Sequence, residues 1–386
     1  MAHYNTTLNQ IVSHLPRSRF EKFVREHNGD HRIRSFSCWK LFVCHVFAQL
    51  SGVDSLRDLE TTLRSKLRSF YHLGLDGFSR STMADANEKR DSAIFEKMFN
   101  ELTMMAQGRA PGHKFKFRNP LYSLDSSTIT LCLSMFRWAK FRARKGALKI
   151  HTLLDHRGHL PSALVISDGK NGDITAARRF RFEPAGILVV DRAYVDFCWL
   201  YQLCLQRVWW VPRFKKRMNF RIVERLPVDR STGVTSDWLI RMSGSKADSI
   251  PTDLRRVRYV DPKTGKAYVF FTNLLHLSAK EIADIYKARW DIELFFKWIK
   301  QNLKIKSFFG TSENAVRIQI WCALCVYLML ACLKFLSNST FSLSKLLVRI
   351  RANLMTRVRL AMVLYQEDRR THWTKMEEQL CLTFGP

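Results

Sequence analysis

The order of short apolar segments between residues 118 and 213 constrains the fold of this 386-residue chain more than any other feature. Residues 121–131 mix β-branched and apolar side chains, which is typical of a strand. Residues 149–155 and 160–166 have the same character, and the turn residues Arg157 and Gly158 lie between them. These two segments therefore predict a hairpin, which gives three strands in the first part of this region.

Helices and strands alternate in the rest of the region. Residues 173–182 suit a helix and residues 186–191 a short buried strand, while a second helix is expected near residues 195–206 and a last strand at residues 208–211. Three strands, helix, strand, helix, strand is the order of a ribonuclease-H-like core. We therefore predict an α/β fold, a ribonuclease-H-like mixed sheet flanked by helices.

The segments outside this core predict the remaining organisation. Residues 1–112 are helical in pattern, with an apolar centre at residues 36–50, and Pro111 and Gly112 mark their end. After residue 213 turn signals alternate with basic, strand-like pieces, which predicts a β-rich insertion. The predicted domains are a helical DNA-binding domain (1–112), the first part of the core (113–213), the β-rich insertion (214–267), the second part of the core (268–336) and a C-terminal helical region (337–386).

Three further elements are expected after the insertion. Residues 268–273 predict a strand that returns the chain to the core, and residues 343–370 predict a basic amphipathic helix. The 14 apolar residues 320–333 are too few to span a bilayer, so a buried helix is predicted there. Cys322 and Cys325 lie in this segment without a second cysteine pair, which favours a place in the core over a zinc site.

The charge of the chain indicates a polyanionic partner. Lys and Arg number 63 against 34 Asp and Glu, giving a net charge of +29, and the commonest polyanion is nucleic acid. An acidic membrane surface is the alternative, but the cations are spread over folded-looking sequence. The first twenty residues lack the apolar core of a secretory signal, and the nine cysteines have no framework spacing. We therefore expect a cytoplasmic, nucleoid-associated protein of bacterial type.

A possible recognition helix follows residue 78. Ser79 or Ser81 can cap a helix that continues with small and basic residues, which resembles the start of the recognition helix in a helix-turn-helix. A solvated capped helix explains the pattern equally well. Arg80 is the candidate DNA contact in this segment.

A helix with an unusual polar stripe is predicted from Ser278 to about residue 303. Ser278 and Glu281 form a capping box at its start. At about 100° per residue, one carboxylate, a phenol and three cations fall within an arc of about 80°, and apolar residues fill the flanking arc. The residues of the stripe are Tyr286, Arg289, Glu293, Lys297 and Lys300. An ordinary amphipathic helix with charge pairs four residues apart is the alternative.

Three carboxylates are candidates for a catalytic metal site. Asp125 lies in the middle of the first predicted strand, Asp191 follows the apolar run 187–190, and Glu293 belongs to the stripe. Asp125 could simply face the surface, but ligands bind at strand ends in such sheets. Hard carboxylate oxygens suit Mg²⁺, with Mn²⁺ as the alternative, and two such ions promote in-line phosphoryl displacement.

The motifs around these carboxylates carry a resemblance to a known family. The spacing Tyr-x2-Arg-x3-Glu-x6-Lys from Tyr286 to Lys300 resembles the third catalytic segment of insertion-sequence transposases of the IS-four family. The segments 124–128 and 190–194, which hold Asp125 and Asp191, are similar to the first and second catalytic segments of that family. The stretch 145–151 also resembles the family, and the resemblance covers about residues 118–336.

The resemblance implies a DDE transposase that acts on the ends of its own element by cut-and-paste. Water attacks first, and the freed 3′ hydroxyl then attacks target DNA, with a homodimer expected in the synaptic complex. A hairpin intermediate stabilised by an aromatic residue of the insertion is also implied. One rival is a transposase-derived, non-catalytic DNA-binding regulator, and another is a metal-dependent nuclease on the same fold.

Cations interleaved with aromatic residues are candidates for DNA contacts. Residues 136–145 and 212–217 have this character, although a solvated basic face explains it as well. Among Trp209, Trp210 and Trp238, the last is the best candidate for stacking on a displaced base. The predicted DNA-binding residues are Tyr286, Arg289, Lys297, Lys300, Arg192, Trp238, Lys215, Lys216, Arg217 and Arg80.

Overall fold

The computed structural model describes residues 5–75, 77–142, 145–170, 172–215, 218–244 and 249–365. The chain divides into two compact units. We call them the helical unit (Met1–Pro111, Ile129–Ala147 and Lys297–Pro386) and the α/β unit (Gly112–Thr128 and Leu148–Phe296). The predicted N-terminal domain and the predicted C-terminal helical region both belong to the helical unit.

Seven helices form the N-terminal part of the helical unit, as far as the structure describes it. They are α1 (Thr7–Ser13), α2 (Arg17–Glu26), α3 (Cys38–Ser51), α4 (Leu56–Ser65), α5 (Leu67–Phe70), α6 (Arg80–Lys89) and α7 (Ser92–Gln107). Twelve of the 14 residues of α3 are buried, which confirms the predicted apolar centre. The Ser79 side chain accepts a hydrogen bond from the Thr82 backbone and caps α6, so Ser79 rather than Ser81 is the cap.

The C-terminal helices complete the helical unit. They are α12 (Glu313–Leu336), α13 (Leu343–Asn353) and α14 (Leu360–Leu364). Helix α12 is long and apolar enough to cross a membrane, but 94% of its most apolar window is buried, chiefly against α7 and α3. Cys322 and Cys325 are buried, which confirms their predicted place in the core. The prediction of one helix over 343–370 is wrong in its described part, because α13 ends at Asn353; residues 366–370 lie outside the description.

The larger sheet has the predicted ribonuclease-H-like topology. Its strands are β1 (Leu121–Leu131), β2 (Lys140–Arg142), β3 (Lys145–Asp155), β4 (Leu160–Asp168), β5 (Ile187–Val190) and β6 (Trp209–Pro212). Strand order is β4-β3-β1-β5-β6, with β2 also paired to β3. Strands β1, β5 and β6 are parallel, and β3 and β4 form the predicted antiparallel hairpin. The mixed sheet confirms the predicted fold class.

Two short helices follow strands of this sheet. Helix α8 (Asp173–Ala177) precedes β5, and α9 (Phe197–Leu205) lies between β5 and β6. All four residues of β5 are buried, as expected of a strand covered on both faces. The sequence therefore identified each of these elements, although α8 is five residues shorter than predicted because it ends at Ala177.

The β-rich insertion is a second, antiparallel sheet. Its strands are β7 (Phe220–Arg225), β8 (Val234–Met242), β9 (Leu254–Val260) and β10 (Ala267–Thr272), in the order β10-β9-β8-β7. The predicted strand at residues 268–273 is β10, which pairs with β9 of this second sheet and also forms a bridge from Phe270 to Arg213. Its end still touches the core: Phe271 packs on Trp210, and the Thr272 hydroxyl donates to the Trp210 carbonyl.

The predicted helix after Ser278 is divided in two. Helix α10 (Ala279–Ala288) starts with the expected capping box of Ser278 and Glu281, and α11 (Trp290–Asn302) follows it. The helix is interrupted at Arg289, whose N–H bonds to the Tyr286 carbonyl, three residues back. Prediction of one continuous helix is therefore wrong. The angular positions expected for the polar stripe do not hold across this junction, since the turn is tightened there.

Candidate active site

Asp125 and Asp191 are brought side by side by the pairing of β1 with β5. Leu124 is in register with Val190 in this parallel pair, and the two aspartates are the next residues of their strands. Each carboxylate is oriented in the same way: Asp125 accepts from the Ser126 N–H at 2.8 Å and Asp191 from the Arg192 N–H at 2.7 Å. The parallel register of β1 and β5 therefore places these two side chains next to each other.

Arg289 joins Asp125 to Glu293. Its guanidinium donates from Nη1 to Oδ2 of Asp125 at 3.2 Å and from Nη2 to Oε1 of Glu293 at 2.5 Å. The Arg289 side chain is only 15% exposed, so this contact is shielded from solvent. The turn between α10 and α11 thus places Arg289 and Glu293 of the predicted signature next to Asp125 on β1.

The carboxylates have more negative charge than Arg289 balances. The pKa of Asp125 is raised to about 6, chiefly by burial. The Ser126 N–H and the Arg289 guanidinium lower this pKa, and the nearby charges of Asp191 and Glu293 raise it. Repulsion of this kind is relieved by a divalent cation, and carboxylate oxygens are the ligands that Mg²⁺ and Mn²⁺ prefer. The three predicted ligands therefore fit a metal site.

A network of polar side chains holds Ser126, the residue after Asp125 on β1. Asp173, the first residue of α8, accepts from the Ser126 hydroxyl at 2.8 Å and from the Lys149 ammonium at 3.2 Å. His151 lies 3.7 Å from the same carboxylate and contacts Ser167 through its other ring nitrogen. The stretch 145–151 noted in the sequence thus supports Ser126 through Asp173. Sequence analysis missed Asp173, whose one signal was its place at a helix start.

Tyr286 is a buried support for Arg289. Its ring packs on Phe270 with centroids 4.6 Å apart, and the Arg289 guanidinium lies 5.9 Å from the ring centroid. Burial raises the pKa of Tyr286 to about 12, so the phenol stays neutral at physiological pH. Tyr286, the first residue of the signature, thus packs beside Arg289, the second, whose guanidinium contacts Asp125.

A cavity of about 440 Å³ opens beside Asp191. Cations and aromatic rings share its lining, and the Arg213 guanidinium lies 5.2 Å from the Tyr268 ring. Such a lining suits a phosphate together with an unstacked base. The cations and aromatic residues of the lining are Arg192, Arg213, Lys287, Arg289, Tyr259, Tyr268, Phe270, Tyr286 and Trp290, and its acidic residues are Asp191 and Asp261. Sequence analysis missed Tyr268, which strand β10 of the second sheet brings to the cavity, and Lys287, which lies on α10.

The other predicted DNA contacts are not among the described residues that line this cavity, or they lie outside the description. Arg80 is exposed at the first position of α6, and Lys297 is exposed on the part of α11 that belongs to the helical unit. Lys300, on the same part of α11, is half-buried, and burial lowers its pKa. Lys215 donates to the Val195 carbonyl at 3.3 Å. The remaining two of these residues, Lys216 and Arg217, lie outside the described residues.

The three tryptophans considered for base stacking differ in environment. Trp210 is completely buried, and Trp209 is half-buried with its ring edge on His276. Trp238 is half-buried on β8, where the Arg256 guanidinium lies 4.7 Å from its ring centroid. None of the three is among the described residues that line the cavity beside Asp191.

Comparison with known proteins identifies the family. The family described as "Transposase DDE domain" matches residues 116–329, and "Domain of unknown function (DUF4372)" matches residues 3–76. The transposase y4zB of Sinorhizobium fredii is 33% identical over 254 residues, which cover 64% of this chain and 69% of that protein. A transposase for insertion sequence element IS5377 of Geobacillus stearothermophilus is 29% identical over 261 residues, covering 67% and 68%.

Two more distant similarities were found. A transposase for insertion sequence element IS4SA of Synechocystis sp. is 25% identical over 286 residues, covering 70% of this chain and 76% of that protein. The piggyBac transposase in a synaptic complex with hairpin DNA aligns with 97% of this chain and 82% of its own, at 10% identity. Its TM-score of 0.44 is too low for a structural conclusion.

This chain belongs to the DDE transposase family, because the family match covers more than half of its residues. It is therefore a metal-dependent enzyme that cleaves DNA and transfers strands, and it binds DNA. The resemblance to insertion-sequence transposases that the sequence motifs indicated is confirmed.

Proposed function

We propose that this transposase binds the ends of its own insertion sequence and moves the element by cut-and-paste, with Asp125, Asp191 and Glu293 as its catalytic residues. The observation that supports the proposal is their convergence: two aspartates in register on β1 and β5, and Glu293 joined to Asp125 through Arg289. A non-catalytic regulator has no physical need for three carboxylates gathered around one cation.

The carboxylates are proposed to hold two Mg²⁺ ions, with Mn²⁺ as an alternative. When bound, the ions would supply charge neutralisation for in-line displacement at phosphorus. The protein contributes rigidity, since Asp125 and Asp191 are fixed by strand pairing and by hydrogen bonds from the following backbone N–H groups. Asp173 holds Ser126 and so limits movement of the chain next to Asp125.

Arg289 is proposed to bind a phosphate of the element end. It balances the charge of Asp125 and Glu293 and also lines the cavity beside Asp191, so it faces the place where DNA would approach. The ring of Tyr286 packs beside the Arg289 guanidinium and restricts its movement. Arg192 and Lys287 belong to the same lining and are proposed as further phosphate contacts. Lys297, Lys300 and Arg80 stay predictions from the sequence.

The proposed reaction has two kinds of step. A water oxygen attacks the phosphorus at the element end, the bond from phosphorus to the 3′ oxygen breaks, and that oxygen takes a proton. The freed 3′ hydroxyl then loses its proton and attacks the phosphorus of a second phosphodiester, either on the opposite strand to form a hairpin or in the target DNA. The bond from that phosphorus to its own 3′ oxygen breaks, and the leaving oxygen takes a proton. Positioning and charge stabilisation supply most of the rate in such transfers. We also propose that a homodimer pairs the two element ends. The reaction is proposed to take place at the bacterial nucleoid.

The test is a reaction of the full chain with duplexes that carry the inverted repeats bracketing its reading frame. With Mg²⁺ and a supercoiled target, we expect nicked ends followed by covalently joined products, which end-labelled DNA reveals on denaturing gels. Cleavage without joined products would identify a nuclease. Specific binding without cleavage would identify a regulator, and either result contradicts the proposal.

The hairpin step is expected to depend on an aromatic residue. Stacking of one extruded base offsets about 1–3 kcal/mol of backbone distortion. We predict that Trp238→Ala slows hairpin formation about tenfold while first-strand nicking stays near the parent rate, as followed on denaturing gels.

Tyr268→Ala and Trp290→Ala should be measured beside Trp238→Ala, because both side chains line the cavity next to Asp191. Trp209→Ala is the matched tryptophan control, whereas Trp210 is completely buried and its loss would disturb the core. Equal rates of hairpin formation in all these variants would exclude base stacking by the tested residues.

A further inference from the structure

A cluster of two histidines and an aspartate lies in the α/β unit, and no step of the transposition proposal uses it. His156 and His159 flank the β3–β4 turn, and Asp291 lies in the first turn of α11. One ligand atom from each of the three residues lies within 4.8 Å of the other two. The histidines are part of a His-x-x-His motif that the sequence analysis did not single out.

Two of the three distances between the ligand atoms match the edges of a metal coordination tetrahedron, and the third is within 4.8 Å. Oδ2 of Asp291 lies 3.3 Å from Nδ1 of His156 and 3.6 Å from Nδ1 of His159. Zinc bonds to histidine nitrogen and carboxylate oxygen are about 2.0–2.2 Å, which puts neighbouring ligands of a tetrahedral ion about 3.3–3.6 Å apart. One ion can therefore bond to all three atoms with little movement of the side chains.

The buried histidine already has the orientation of a metal ligand. His156 is 4% exposed, and its Nε2 contacts the hydroxyl of Ser123, itself completely buried, at 2.8 Å. Histidines that bind metals are usually fixed by such a contact through the other ring nitrogen. The contact leaves Nδ1 directed at Asp291. An ordinary ion pair between a histidine and an aspartate at the surface does not require a buried hydroxyl such as that of Ser123 on the other ring nitrogen.

The cluster is separate from the three catalytic carboxylates. Asp291 and Glu293 are two residues apart on α11, so their side chains leave the helix about 200° apart. The ligand type differs as well, because two imidazoles and a carboxylate suit Zn²⁺ and related transition-metal ions, whereas the catalytic oxygens suit Mg²⁺. Mg²⁺ at working concentration is therefore a poor competitor for the histidines.

We propose that His156, His159 and Asp291 form a site for one divalent transition-metal ion of the zinc class, distinct from the catalytic site. The ion would link the β3–β4 turn to the start of α11. Since Glu293 belongs to the same helical turn, this link would also restrict the movement of the catalytic carboxylate. Three protein ligands leave one position for water.

Metal titration of the full chain tests the proposal. Metal-free protein in saturating Mg²⁺ is titrated with Co²⁺, whose visible absorption reports coordination, and then with Zn²⁺. We expect one Co²⁺ per chain with the intense bands of a four-coordinate site, displaced by one Zn²⁺, and a higher Tm with Zn²⁺ than without it. Absence of these bands, or binding that Mg²⁺ abolishes, would overturn the proposal.

His159→Asn is the most useful variant, because His159 has a φ of 55° and asparagine accepts this left-handed conformation. We expect at least tenfold weaker Co²⁺ and Zn²⁺ binding and an unchanged Tm without metal. Ser123→Ala should weaken binding about tenfold through the orientation of His156. His276→Asn, which changes an exposed histidine of the same unit, is the matched control.

Glu293→Gln separates this proposal from the proposed function. The substitution is expected to leave zinc binding unchanged, since Glu293 is not a ligand in the cluster. Loss of zinc binding in Glu293→Gln, or full binding in His159→Asn, would show that the ion occupies another place and would contradict the site.

Discussion

Glu293→Gln is expected to lower first-strand cleavage by about 10³-fold or more while folding and binding to the element ends stay close to those of the parent. Glutamine keeps the size of the side chain and can still accept the hydrogen bond from Arg289. It removes the negative charge on which a divalent cation depends. The rate is measured with end-labelled DNA at saturating Mg²⁺, and end binding by gel shift in Ca²⁺.

A matched control shows whether the effect belongs to the site. Glu281→Gln also changes a carboxylate to an amide near a helix start, and glutamine retains the capping box with Ser278. Its cleavage rate should equal that of the parent. Mg²⁺ should raise the Tm of the parent and of Glu281→Gln more than that of Glu293→Gln. Cleavage by Glu293→Gln within tenfold of the parent rate would exclude Glu293 as a ligand.

The sheet and its two aspartates were predictable from local sequence. Residues 187–190 form an unbroken apolar run, which only a strand covered on both faces requires, and Asp191 ends it. Residues 121–131 coincide with β1. The ribonuclease-H-like order makes these two strands parallel neighbours, and the register of Leu124 with Val190 then puts Asp125 next to Asp191.

The features that escaped prediction depend on contacts between distant segments. Arg289 interrupts the helix without a proline or glycine nearby, and its side chain bonds to Asp125, 164 residues earlier. Strand β10 has a pattern that fits either sheet, and its pairing with β9 decides the question. The packing of α12 on α3 and α7 likewise joins segments that are far apart in sequence. Local periodicity carries no information about such partners.

The second sheet contains a buried ion pair whose loss is expected to have the largest effect on stability. Arg255 on β9 donates to Asp237 on β8 through Nε at 2.8 Å and through Nη2 at 2.5 Å, and both residues are buried. Arg255 also donates from Nη1 to the carbonyl of Leu277, the residue before the cap of α10. The pair thus ties the insertion to the chain that leads to Arg289 and Glu293.

Asp237→Asn is expected to lower the free energy of unfolding of the α/β unit by about 3–5 kcal/mol, because Arg255 remains as a buried charge without its counter-ion. Asparagine keeps the volume of the side chain, so little of the loss comes from packing. Denaturant unfolding followed by tryptophan fluorescence, with hydrogen exchange of β8 and β9 to locate the change, measures the effect. Asp253→Asn is the control, because its pair with Arg241 is partly exposed and solvent screening leaves it little effect on stability.

A double variant, Asp237→Asn with Arg255→Met, separates charge from shape. If the uncompensated guanidinium causes the loss, removing it should restore about half or more of the free energy, since a long apolar side chain fills the same space. Cleavage should follow stability: Asp237→Asn is expected to lose activity at temperatures where the insertion opens, and the double variant to regain it. A loss below about 1 kcal/mol in Asp237→Asn would mean that solvent reaches Arg255 and that this pair does not hold the insertion against α10.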